Sequence, residues 1–327
     1  MVSPSEFVNL EYSNDLTQAG IDYICQVLPY KHLSNFKHQV NEIREIICES
    51  AVDLAFRRYI NQKQIPHEFL VEKPYTDPLR SEITIGGRRC KLICKTLTKK
   101  QQIRNIRKSP EVLMKEKATI CEEEFNSDYY SKNDILVFCF LTALITSNQK
   151  SIRSVLTGNL PVFLIQLLPQ KWSNPKKWTR FEELTIEGQI RQNQFLKLIG
   201  LDGQRNILFE DLTLSSNSKC SINKDFFSLS FIQTNILPES QFIIRNPTLC
   251  DNCYLQSKNW VNLWIYGLEI IIAGYATLGE FKAIAEESTI VARINNTRIS
   301  QFDSSSIPIE QLHPLSELIS RVKTWNI

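Results

Sequence analysis

Nine basic side chains, Arg88, Arg89, Lys91, Lys95, Lys99, Lys100, Arg104, Arg107 and Lys108, follow one another without an intervening acid. The chemistry such a run serves is neutralisation of a polyanion. Each phosphate met by Lys or Arg releases counterions, so affinity falls steeply with salt. The formal net charge is only +3, so a preference for polyanions has to come from where the charge sits. An ordinary solvated surface is the competing account. No aromatic residue interrupts the run, which favours duplex or shape recognition over stacking on single strands. A smaller basic group, Lys171, Lys176, Lys177 and Arg180, surrounds Trp178. Packing is the expected role of Trp172, Trp178, Trp260 and Trp264.

The elements that must carry these cations follow from periodicity. Residues Ser81 to Ile85 alternate, Gly86-Gly87 forms a turn, and Arg88 to Leu97 alternate again, which predicts two antiparallel strands. Parity puts Cys90, Leu92 and Cys94 on one face and Arg89, Lys91, Ile93 and Lys95 on the other, the face expected to meet a ligand. Upstream, Phe36, Val40, Ile43, Ile47, Ala51 and Leu54 recur at helical spacing behind a cap at Ser34 or Asn35. Two shorter segments precede that helix, Asp15 to Leu28 and Ser3 to about Tyr12, the latter opening on a capping box at Ser3, Pro4 and Glu6.

Downstream, acids at Glu111, Glu116 and Glu122 to Glu124 lead to two apolar runs, Ile135 to Leu144 and Pro161 to Leu168. These read as buried central strands, and a helix over Gln149 to Leu156 would make them a parallel pair. Past Trp172 the chain turns to short alternating segments: Phe195 to Ile199, Asn206 to Leu214 and Phe226 to Ile232. Trp260 to Tyr275 reads as a strand running into a helix, and Gly279 to Glu287 as helix. The expected architecture is an α/β core with a mixed sheet flanked by helices over residues 1–175, and a β-rich α+β region over 176–327 that ends in helix.

Composition excludes several classes. A chain of 327 residues, 43% apolar and 22% charged, is globular rather than disordered. Nine cysteines, irregularly spaced and with Cys25, Cys48 and Cys139 inside apolar runs, read as free thiols. Cys250 and Cys253 form one CxxC, but His32, His38, His67 and His313 all lie far away in sequence, so a polar turn at Asp251-Asn252 is the plainer account than zinc. The apolar runs Ile135 to Thr146 and Val261 to Ala276 are too short for a span or are broken by Asn262 and Glu269. With no secretory pattern at Met1 to Leu10, a cytoplasmic protein is expected.

The segment Phe36 to Leu168 resembles the restriction-endonuclease-like superfamily, the PD-(D/E)XK nucleases. The resemblance rests on element order and on Pro78-Leu79-Arg80-Ser81-Glu82 followed by Gly86-Gly87-Arg88-Arg89-Cys90-Lys91-Leu92-Ile93-Cys94-Lys95. In that family a helix bearing acids precedes a strand with an aspartate, and the next strand carries an acid and a lysine two residues apart. The carboxylates hold a divalent ion, and the lysine assists the attacking water. The resemblance implies Glu82 as first acid and metal ligand and Lys95 as the lysine, but Ile93 stands in the place of the second acid. Shifting by two residues puts Lys91 and Ile93 in the two places, which restores nothing.

The resemblance therefore implies a nucleic-acid-binding protein, DNA-directed with duplex favoured, of degenerate active site, in defence or DNA processing. Arg88, Arg89, Lys91, Lys99, Lys100, Arg104, Arg107 and Lys108 would meet the nucleic acid. One alternative is an active Mg²⁺-dependent endonuclease in which Glu42, Glu45 or Glu49 of the long helix supplies the missing acid beside Glu82 and Lys95. Glu45 and Glu49 lie four apart on one face, where a solvated helix surface is the competing account. A second alternative is a protein-interaction module. The tract Trp260 to Ile272 is read as core, with self-association into a homodimer as its alternative.

Overall fold

The computed structural model describes residues 1–30, 36–69, 83–121, 125–126, 130–188, 193–216, 218–285 and 304–325. The chain divides into two compact units. One comprises Met1–Thr17, Cys48–Leu144 and Tyr266–Ile327, and the other Gln18–Ile47 and Ile145–Ile265. In chain order the leading elements are β1 (Val8–Leu10), α1 (Asn14–Val27), α2 (Phe36–Gln62), β2 (His67–Phe69), β3 (Ile83–Ile85), β4 (Arg88–Leu97), α3 (Lys100–Lys108), β5 (Lys117–Cys121) and β6 (Ile135–Ile145). Then come β7 (Leu164–Leu167), β8 (Thr185–Gly188), β9 (Gln194–Leu201), β10 (Ile207–Leu214), β11 (Lys219–Ser221) and β12 (Ser228–Thr234). The last strands are β13 (Phe242–Asn246), β14 (Asp251–Leu255), β15 (Val261–Asn262), β16 (Ile265–Thr277) and β17 (Ser304–Pro308).

In the first unit a six-stranded mixed sheet runs in the order β1-β16-β6-β4-β3-β2. The hairpin read from Gly86-Gly87 is present: both glycines have positive φ, 58° and 74°, the geometry of a turn whose twist matches the strands it joins. β4 then pairs with β6 in parallel, from Cys90↔Ile135 to Leu97↔Thr142. β6 is buried along nearly its whole length, as its unbroken apolar sequence requires. One face of β4 turns Cys90 toward Asp53 and Cys94 toward Glu49 of α2. The other packs Ile93 and Leu97 into a cluster with Ile106, Leu113, Phe138 and Phe281, where the Phe138 and Phe281 rings stack at 5.6 Å.

Three expectations need correction. β6 and β7 are not a parallel pair: they belong to different sheets, and both neighbours of β7, β12 and β15, are antiparallel to it. The helix Gln149–Thr157 between them buries Ile152, with Val155 and Leu156 alongside, in the core that holds Leu164 and Leu198. The segment after Trp260 does not run into a helix before Tyr275; it is strand to Thr277. Its β-branched Ile270, Ile271 and Ile272 pack well in extended form, and Gly267 admits the Tyr12 ring where a Cβ would come within 2.3 Å. The capping box at Ser3 exists, with Glu6 accepting from the Ser3 amide at 2.8 Å, but it opens a single turn, Pro4–Glu6. The chain then enters β1, which adds to the edge of β16.

The second unit is β-rich, as expected for much of it. A five-stranded sheet, β10-β9-β12-β7-β15, and a four-stranded sheet, β11-β8-β13-β14, contribute to one core that includes Trp172, Phe226, Phe242 and Trp260. Trp172 is fully buried and donates its indole N–H to Asp251 at 2.7 Å. A polar knot lies within this unit. Buried Arg44 donates to the carbonyls of Thr146, at 2.9 Å, and of Asn262, at 2.7 Å. The Asn262 amide donates to Thr146 Oγ1 at 2.8 Å and accepts from the N–H groups of Phe163 and Trp264, both at 3.0 Å.

β12 bulges between Leu229 and Phe231 against β9. There a Cβ on Gly200 would come within 1.9 Å of the Ser228 carbonyl oxygen, a backbone atom that cannot swing aside. Gly200→Ala is therefore expected to cost about 2–4 kcal/mol, read as a lowered urea midpoint with an unchanged m-value.

Candidate functional site

Helix α3 is built from good helix formers and starts directly after β4. Its N-cap, Lys99, is extended (φ −78°, ψ 116°) and gives no side-chain cap, and its first turn holds no acid. Lys99 and Lys100 thus stand at the positive end of the helix dipole, an unfavourable placement that concentrates positive potential there. The helix stops before Ser109-Pro110, where proline disfavours helical geometry in the residue ahead of it. Ile103 and Ile106 anchor it to the core and are almost completely buried.

The opposite side of α3 carries Lys100, Arg104 and Lys108, each four residues from the last, all exposed. At this spacing they form a ridge along one face of the helix. Among the described residues neither these three nor Lys99 has an ion-pair partner. Arg107, on the flank of the ridge, is bound by Glu269 of β16 at 3.1 Å, both side chains being partly exposed. On the other flank Gln102 donates to Glu116 at 2.8 Å, and the second oxygen of Glu116 takes the Lys95 ammonium at 2.6 Å.

The basic stretch therefore divides in two. On β4 the cations are engaged or half-buried: Lys95 by Glu116, Lys91 above the Tyr130 ring at 5.5 Å, and Arg88 and Arg89 half-buried at the far end of the strand. A strand of this length extends for about 30 Å, so Arg88 and α3 sit at opposite ends of β4. The parity expected for β4 is correct, but its Arg89–Lys95 face is largely covered by the protein itself, because Ile93 between the lysines belongs to the apolar cluster. Exposed positive charge is concentrated on α3.

Of the other candidates, the acids of α2 lie among the described residues. Glu82 lies outside the described residues, as do Ser34, Asn35 and Glu122 to Glu124. Glu42, Glu45 and Glu49 are exposed on α2, with Glu45 in the second unit and Glu49 in the first. Glu49 acts on Cys94, whose thiol is held well above its ordinary range by its hydrogen bond with Cys139, by burial and by that carboxylate. Since Cys94 and Lys95 are consecutive residues of a strand, they point to opposite faces. Glu49 and Lys95 are thus not brought together. Among the described residues no three His, Cys, Asp or Glu side chains are gathered so as to hold an ion. Of the CxxC, Cys250 is exposed in a left-handed turn (φ 47°) and Cys253 is buried at 6% exposure.

Glu116 and Glu269 were not read as functional from sequence, although Glu269 is an isolated acid inside an apolar tract and that isolation was the available signal. No family model, curated protein or solved structure matches the chain.

The first unit also holds a strongly perturbed carboxyl group. Burial pushes Asp53 up to about 6, against the opposing pull of Arg57 at 2.7 Å. In the native state it binds its proton over a pH range where the unfolded chain has lost it, so its contribution to stability is greatest below about pH 4 and is lost as pH rises through about 6. Asp53→Asn is expected to flatten this part of the stability profile, measured as the difference between wild-type and variant urea midpoints at pH 4.5 and 7.

Proposed function

We propose that the first unit is a nucleic-acid-binding body that engages a phosphate backbone, with duplex DNA as the preferred form, through the exposed ridge of α3. The observation that carries this reading is the line Lys100, Arg104 and Lys108, joined by Lys99, without ion-pair partners among the described residues. A row of cations held on a helix anchored by Ile103 and Ile106 is suited to phosphate neutralisation and carries no aromatic platform for unstacked bases. Backbone contacts of this kind position a protein on nucleic acid without reading sequence.

The reading includes a restriction-endonuclease-like core. In its favour are the acid-bearing α2 ahead of the β3–β4 hairpin, and a helix-containing crossover leading from β4 to a parallel β6. It also assigns the unit to binding rather than cleavage. The lysine in the place of the family's catalytic lysine is taken up by Glu116, and Ile93 occupies the place of an acid while packing into the core. Were cleavage retained, Glu82 with a divalent ion such as Mg²⁺ would have to provide it.

Fluorescence anisotropy with a short labelled duplex tests the proposal. Binding is expected to weaken strongly between about 50 and 200 mM salt, and the triple variant K100A/R104A/K108A to flatten the log–log salt dependence by about 2–3 units. Equal binding by wild type and triple variant would refute the assignment of the ridge. Nicking of plasmid with Mg²⁺ or Mn²⁺, abolished by Glu82→Ala, would replace binding with catalysis as the function.

A further inference from the structure

We infer that Glu269 is an internal competitor for the polyanion: it holds Arg107 in the free protein and cedes it to a phosphate once a chain of phosphates lies on the α3 ridge. This rests on the reading of α3 as a nucleic-acid surface. Arg107 is three residues from Arg104 and seven from Lys100, so it belongs to the same side of the helix and extends the ridge toward β16. Its bond to Glu269 is a single contact from Nε at 3.1 Å, with the arginine side chain 48% exposed and the glutamate 36%. A solvated pair of this kind is weak and yields readily. The backbone that carries Glu269 stays in place, because β16 is an interior strand of the sheet and the Glu269 carbonyl accepts from Thr142 Oγ1 at 3.4 Å.

The consequence is selectivity for extended polyanions over single phosphates. An isolated phosphate that reaches Arg107 must displace the Glu269 carboxylate in return for one contact. A phosphate chain already held by Lys100, Arg104 and Lys108 presents its next phosphate at high effective concentration, and the displacement becomes intramolecular. Glu269 is thus a specificity-determining residue that need not touch the ligand.

Glu269→Gln keeps the shape and removes the competing charge. Duplex affinity at low salt is expected to rise two- to five-fold, with the log–log salt slope little changed, because Arg107 meets the same phosphate in both complexes and only the cost of breaking its bond to Glu269 is removed. In an Arg107→Ala background the same substitution is expected to change nothing, which separates release of Arg107 from the general effect of deleting a negative charge. A thermal melt of each variant checks that the sheet is intact. If Glu269→Gln binds no better than wild type, or if it gains equally without Arg107, the inference is overturned while the ridge reading stands. If wild type shows no salt-sensitive duplex binding, both fall.

Discussion

The parallel pairing of β4 with β6 governs what the first unit can display. Two antiparallel strands can be joined by a turn as short as Gly86-Gly87, but a parallel partner forces the chain to travel back the length of the strand before it can pair again. That return path contains α3, the turn Pro110–Lys115 and β5. It has to bury one side against the sheet, which Ile106, Leu113, Ala118 and Ile120 accomplish, and Ile103 is buried as well. Having one apolar side, α3 necessarily has an opposite side in water, and the sequence has placed Lys100, Arg104 and Lys108 there. The cations are on the surface because the crossover is amphipathic, and the crossover exists because β6 is parallel to β4.

The second unit depends on a different device. Asn262 has no charge and no exposed surface, yet its one side chain serves the backbone of Phe163 and Trp264 as acceptor and Thr146 as donor. It ties the chain leaving β6 to the start of β7 and the end of β15, two strands that already pair with each other at Asn262↔Leu164. Buried amide groups earn their place when every one of their hydrogen-bonding positions is used, and here three protein partners are found. Arg44 reinforces the same point from α2 by taking two main-chain oxygens. The asparagine that interrupts an apolar tract in the sequence is therefore a structural junction.

Much of this was legible from residue order. The glycine pair gave the hairpin, alternation gave the boundaries of β4, and an unbroken apolar run gave β6. What failed was partnership. An apolar run identifies a buried strand without saying which sheet buries it, so β6 was matched to its neighbour in sequence, β7, although Ile152 of the helix between them belongs to another core. In the same way Ile270 to Ile272 are compatible with helix or strand until Gly267 meets Tyr12. At the candidate site the cations could be counted, but not sorted into exposed and engaged: the acid that takes Lys95 is 21 residues away and the one that takes Arg107 is 162 residues away. Neither contact follows from local spacing, and Glu82, on which the catalytic alternative turned, lies outside the described residues.

The ridge on α3 has a mechanical side as well as an electrostatic one. Like charges four residues apart repel along a helix, and a helix of nine residues is not stable in water on its own account. α3 is thus held straight by its two isoleucines and by the acids that grip its flanks, while its own exposed charges push toward fraying. On the proposed reading, a polyanion laid along the ridge would reverse the sign of that push, and the crossover would be stiffer when occupied than when free.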